Sequence, residues 1–298
     1  MTSTPEDTEI FETERPRLRA IAYRILGTPD DADDVVQDTW VRFSTADVSS
    51  IETPPAWLTT VTTRLAIDRL RSSSYKREVY VGPWLSNPLD REPALDIGPD
   101  DSILLAESIS LGFMAVLERL SPLERAVFIL HDVFAYSLAE VAGIIERNPA
   151  ATRQLAKRAR DHIDEGRPRF ALEAANIEQL SELMLSATLN GDVETLKTFL
   201  AADVVHISDG GPDYRAARKP VVGPDRVARF FLNLAKKWEP GMEAHAVRAN
   251  GQPAYYLTTD GEPFTLIVAN WVDGQMSAVF AVRNPEKLTA FHRAWLAE

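Results

Sequence analysis

The stretch YSLAEVAGIIERNPAATRQLAKRARDHI, Tyr136 to Ile163, sets Arg153, Gln154, Lys157 and Arg160 at helical spacing, with Arg158 alongside. These side chains suit nucleic acid. Arginine pairs bidentately with guanine and glutamine with adenine in the major groove, whereas lysine mainly holds phosphate. Presenting them takes two short helices about a tight turn. Ser137 and Glu140 form an S-x-x-E capping box at the start of the first helix, and Val141, Ile144 and Ile145 give it an apolar face. Glu146-Arg147 makes the turn, Asn148 is a good N-cap and Pro149 fits the first helical position. The second helix buries Thr152, Leu155, Ala156, Ala159 and Ile163 and turns its basic residues outward. That is the pattern of a helix-turn-helix whose second helix enters the major groove. The plainer alternative is a helical hairpin with a solvated charged face.

Two further constellations lie upstream. Asp34, Gln37 and Asp38 stand at i, i+3 and i+4 on one helix face, with Arg42 a turn further on. Such a face can pair with basic and polar groups of another helix, or simply face water. Arg64, Arg69, Arg71, Lys76 and Arg77 can run along a DNA backbone. Trp57 reads as core rather than as a stacking platform. The loop Val48–Pro55 is the better place to hold an unstacked base, whose extrusion costs a few kcal/mol.

The elements that carry these residues follow from pattern. Leu18, Ile21, Ala22, Ile25 and Leu26 mark one helix, ended by Gly27; Ala32, Val35, Val36, Trp40 and Phe43 mark a second; a third runs from about Ala56 to Ser72. Prolines at 83, 88, 93 and 99, mixed with acids, make 82–101 an extended tether, and helical pattern resumes from 102 to 170. Beyond 171 come two helices (172–189, 192–200) and strand-like runs at 204–208, 254–259, 264–271 and 277–283. Asn250-Gly251 and Asp273-Gly274 are hairpin signals, and further helices are expected at 224–238 and 285–296. The fold class is therefore two all-α modules followed by an α+β domain.

Composition narrows the function. The 298 residues suit roughly two or three domains of about 100–150 residues. With no cysteine there is no disulfide framework or thiolate metal site; no metal and no cofactor are expected. No apolar run approaches the roughly 18 residues of a membrane span, and the acidic N-terminus has no signal-peptide pattern, so a cytoplasmic location is the default expectation. A net charge of −12 argues against bulk coating of nucleic acid and for a partner that supplies affinity.

Glu9–Phe170 resembles the group 4, or extracytoplasmic-function, sigma factors of the sigma-70 family. ADDVVQDTWVRF (32–43) resembles the family's core-polymerase-binding region, TPPAWLTTVTTRLAIDRLR (53–71) its −10-element region, and LSPLERAVFILHDVFAYSLAEVAGII with the following helix its −35-reading domain. The resemblance implies core RNA polymerase as partner, through the β′ clamp and β subunits, together with double- and single-stranded promoter DNA. The tail resembles SnoaL-like, cystatin-like cones, and the whole looks like the sigma-J-type subgroup. YVGPWL (80–85), SDGG (208–211) before RKPVVGPDRVARF, and NPEKL (284–288) carry that closer likeness. The subgroup usually shows DGGGK or DGGGR; this chain reads DGGPD.

The implied division is 1–80 for core polymerase and the −10 element, 81–105 for the linker, 106–170 for the −35 element and 171–298 for a regulatory domain. Its loop Asp209-Gly210-Gly211 is the candidate regulatory loop, and the tail as a whole is expected to replace a separate anti-sigma factor. His206, Asp209, His245, Tyr255 and Trp271 are candidates to line a pocket, although interior packing is the plainer reading and no catalytic residue is assigned. The alternatives left open are a stand-alone helix-turn-helix regulator with a ligand-sensing tail and an enzyme with a helical accessory region.

Overall fold

The computed structural model describes residues 4–78, 80–90, 105, 108–166, 174–212 and 214–297, with side chains at 73–78, 166, 174–176 and 178 left aside. These residues fall into two compact units. The first lies within Met1–Val79, Glu92–Ile109 and Val116–Arg167; the second within Tyr80–Arg91, Ser110–Ala115 and Pro168–Glu298.

In the first unit, α1 (Pro5–Leu26) starts at a Thr4/Asp7 capping box and stops at Gly27, whose φ of +77° lets its N–H return to the Tyr23 carbonyl. Helix α2 (Pro29–Thr45), a 3₁₀ turn (Val48–Ser50) and α3 (Pro54–Glu78) follow. Phe11, Leu18, Val36, Phe43 and Leu58 form the core, and Trp57, partly buried, packs against it with its ring 5.7 Å from that of Phe43. After α4 (Leu111–Leu117) come α5 (Pro122–Phe128), a π-helical turn (Ile129–Val133), α6 (Leu138–Ile144) and α7 (Pro149–Gly166). The Ser137/Glu140 box caps α6, and the Asn148 side chain accepts the Ala151 N–H at the start of α7. Thr152, Leu155, Ala156, Ala159 and Ile163 are all buried, as the spacing requires.

The second unit is α+β. Helices α8 (Ala174–Asn190) and α9 (Val193–Thr198) lead into β1 (Leu200–Asp209), β2 (Val221–Val222), α10 (Pro224–Ala235), β3 (Met242–Ala249), β4 (Gln252–Thr259), β5 (Glu262–Val272), β6 (Gln275–Val282) and α11 (Pro285–Trp295). The sheet order is β2-β1-β6-β5-β4-β3, antiparallel except for β1–β6. The expected turns are present: Asn250-Gly251 and Asp273-Gly274 both sit at positive φ, as type I′ hairpins demand, and Asp260-Gly261 adds a third turn that the pattern reading passes over. One sheet face packs on α8–α10 through Met184, Leu196, Val227 and Phe231; the other packs on α11 through Leu288 and Phe291.

The described residues 80–90 have no regular helix, as Pro83 and Pro88 dictate, yet they are not a free tether; the rest of the expected tether, 91–101, lies outside the described residues. Leu85 is 1% exposed in the same cluster as Leu288 and Phe291. Leu89 donates its N–H to the Asn250 side chain and accepts the Asn250 N–H, fixing it to the β3–β4 hairpin. Leu111, in the first turn of α4, also joins this cluster.

Candidate nucleic-acid interface and the Asp209 clamp

Helix α7 divides the five residues expected to read DNA into two groups. Arg153, Gln154 and Lys157 are exposed, and their side chains make no hydrogen bond or ion pair with another described residue. Arg158 and Arg160 are committed elsewhere. Arg158 Nε donates to Glu124 Oε1 at 2.8 Å, and Arg160 Nε to Asp132 Oδ1 at 2.7 Å. Burial on its own raises the Glu124 pKa, but hydrogen bonds from Ser121 and Arg158 outweigh it and hold the carboxyl below its usual range. These two arginines tie α7 to α5 and the π-helical turn. The free set is the trio at 153, 154 and 157.

The upstream set needs similar correction. Arg64 donates to the carbonyls of Ile144 (2.8 Å) and Gly143 (3.1 Å) and pairs with Glu146, capping the end of α6 rather than standing free. Arg69 bridges Asp31 and Asp34, both at 2.7 Å. Thus Asp34 and Arg69, expected to face different partners, face each other. Arg71 pairs with Asp68. The side chains of Lys76 and Arg77 lie outside the described residues. Gln37, Asp38 and Arg42 are exposed on α2, and Val41 between them is 53% exposed. In the Val48–Pro55 loop, Ser49 and Ser50 bond back to Asp47 while Glu52 and Thr53 face solvent.

The first unit also contains contacts between its two helical modules. Arg24 is fully buried and donates to Ser108 Oγ (2.8 Å) and to the Leu105 carbonyl (3.0 Å). Arg125, paired with Glu118, donates to the Arg24 carbonyl. Tyr136 Oη meets Arg17 and Thr59.

In the second unit, the three short motifs at 80–85, 208–211 and 284–288 converge on one buried carboxylate. Asp209 accepts hydrogen bonds from Tyr80 Oη (2.5 Å), the Leu85 N–H (2.8 Å), the Gly211 N–H (3.1 Å) and Lys287 Nζ (2.7 Å). Lys287 Nζ also reaches the Leu85 carbonyl and lies 3.8 Å from the centre of the Trp84 ring. Burial, then the Asp209 hydrogen bond, raise the Tyr80 pKa. Asn284 caps α11 through the Glu286 N–H and donates to Tyr80 Oη at 2.9 Å. Gly211 has φ +64°, and a Cβ there would stand 2.8 Å from Asn284 Nδ2.

The key cation, Lys287, lies within the NPEKL motif that the sequence singles out, but the sequence reading assigns it no role of its own. A signal exists, because a lysine in the first turn opposes the helix dipole and calls for a carboxylate partner.

The pocket candidates do not gather. His206 is 1% exposed, bonds to Ser208 Oγ (2.7 Å) and stacks on Phe230 at 4.6 Å; burial pushes its pKa down to about 4. Tyr255 and Trp271 share its side of the sheet, since Trp271 packs with the α8–α10 core and Tyr255 neighbours Tyr256 of the opposite face. His245 lies on that opposite face, stacked on Trp295 at 4.7 Å. Asp209 is turned into the clamp, so His206 has no carboxylate partner among the described residues.

The comparisons agree with this geometry. Residues 10–75 match Sigma-70 region 2 and residues 110–163 match Sigma-70, region 4. The chain is 37% identical to the ECF RNA polymerase sigma factor SigJ of Mycobacterium tuberculosis (strain ATCC 25618 / H37Rv), covering 94% of this chain and 92% of the relative. It is 29% identical to that strain's ECF RNA polymerase sigma factor SigG, covering 91% and 79% respectively. The crystal structure of the M. tuberculosis extracytoplasmic function sigma factor SigJ superposes with a TM-score of 0.73 at 32% identity, over 95% of this chain and 98% of that one. Two helical sigma modules followed in sequence by an α+β domain, and 37% identity over nearly the whole of a curated relative, place the chain in the extracytoplasmic-function sigma factors of the sigma-70 family, which bind core RNA polymerase and promoter DNA.

Proposed function

We propose that this sigma factor is governed by its own C-terminal domain, which grips the chain where it leaves region 2 and so controls how the DNA-reading modules are presented. The observation that carries this reading is the Asp209 clamp: a tail carboxylate and a tail ammonium closed on Tyr80 and Leu85 of the tether. A buried ion pair opens in an all-or-none manner, because half-opening strands a charge away from water. The arrangement supports regulation within one chain, with no separate anti-sigma factor.

Within the same reading, Gln37, Asp38 and Arg42, with Val41, form the face for the polymerase β′ clamp. Arg153, Gln154 and Lys157 read the −35 element, and the 48–55 loop holds an unstacked −10 base, with β as the other subunit contacted. Arg64 is held by Gly143, Ile144 and Glu146 in this conformation, so its use on −10 DNA requires release from α6.

Run-off transcription with core polymerase tests the proposal, comparing the full chain, a Lys287→Met chain and a chain cut after Phe170. The full chain and the variants are expected to start at the same promoter with different yields. Identical yields from all three would remove the regulatory role.

A further inference from the structure

The chain carries −12 overall, yet residues 214–237 contain seven Lys and Arg against a single described acid, Asp225. That acid is already paired with Lys197 at 2.7 Å. On α10 and the turn that follows it, Arg226, Arg229, Asn233, Lys236 and Lys237 recur every three or four residues, a stripe about 16 Å long at 1.5 Å per residue. All five are exposed, and none of their side chains makes a hydrogen bond or close ion pair with another described residue, although Arg229 acts on Asp225 through a longer-range charge interaction. The helix's other face buries Val227, Ala228 and Phe231 in the core. Like charges at this spacing repel, and Arg226 stands in the first turn, where the helix dipole disfavours a cation.

We infer that this stripe is a phosphate-backbone contact for duplex promoter DNA, a nucleic-acid surface additional to the two sigma modules. Guanidinium, ammonium and amide groups on one rigid face suit phosphate oxygens. A protein partner fits less well: the stripe has no aromatic anchor, and Leu234 at its margin is only 37% exposed. Since the chain acts on promoters, a weak contact here works at high effective concentration once the other modules are bound.

The test uses holoenzyme assembled from core polymerase and the full chain. Promoter binding is measured across salt concentrations for wild type and for Arg226→Gln/Arg229→Gln/Lys236→Gln/Lys237→Gln. Each phosphate contact contributes about 0.9 to the slope of log K against log [salt], so the slope is expected to fall by about 3 to 4 and affinity by at least about tenfold. Arg226→Lys/Arg229→Lys is expected to keep the slope. An unchanged slope in the glutamine variant, or a loss confined to core-polymerase capture, overturns the inference. Should circular dichroism show that the glutamine variant is unfolded, a photoreactive residue at position 233 decides. Crosslinks to DNA support the contact, and crosslinks to polymerase subunits alone overturn it.

Discussion

Lys287 holds its ammonium 2.7 Å from the Asp209 carboxylate, and both side chains are shut away from water at 7% and 0% exposure. Neither group tolerates that position alone. Tyr80 and the backbone of Leu85 complete their hydrogen bonding, so the tether is part of the solvation of the pair.

Lys287→Met leaves Asp209 charged and buried. The expected cost is about 3–5 kcal/mol, read from urea denaturation of the full chain. Asp209→Asn/Lys287→Met removes both charges and is expected to recover part of that loss. A double variant no more stable than the single one would mean that the pair is not the clamp's organising contact.

Helix α7 carries both the trio proposed to read DNA and two arginines tied to the protein itself. Arg153→Ala and Gln154→Ala are expected to relax −35 preference by about 1–3 kcal/mol per lost bidentate contact with melting unchanged. Arg158→Ala is expected to lower melting slightly, because Glu124 keeps Ser121 but loses its cationic partner, while sequence preference holds. Holoenzyme binding to a panel of −35 variants, with melting curves beside it, distinguishes the two classes.

On α2, Asp38 is exposed and Asp34 is bonded to Arg69. Asp38→Lys is expected to weaken capture of core polymerase with an unchanged circular dichroism spectrum. Asp34→Lys is expected to destabilise the first module as well, by turning an ion pair into a repulsion. Equal capture by Asp38→Lys and wild type would move the polymerase contact off this face.

His206 titrates near 4 when folded and near 6.5 when unfolded. The unfolded chain therefore binds the extra proton first as pH falls. Stability from neutral His206 is complete above 6.5 and is lost down to about 4. Between pH 7 and pH 5 the loss from this one group is about 2 kcal/mol. Urea midpoints of wild type and His206→Gln over this range test it; the variant should lack that share of the acid sensitivity.

Most of the helical architecture was legible because its signals are local. The Ser137/Glu140 box, Asn148-Pro149, Gly27 and the Asn250-Gly251 turn each act within a few residues, and each stands where the sequence puts it. Strand β3 escaped notice. MEAHAVRA at the sheet edge has one neighbouring strand, and its half-exposed residues blur the alternation that marks a strand.

What sequence alone determined was which helices form and which residues face outward from them. What only the tertiary structure decided was which charges remain available. Arg158 and Arg153 look alike in the sequence, yet one meets Glu124, 34 positions away, and the side chain of the other makes no hydrogen bond or ion pair with a described residue. Asp209 finds Tyr80 across 129 positions and Lys287 across 78. Helical periodicity reports a face, but the partner of a charged group is set by contacts between distant segments, and those exist only once the chain has folded.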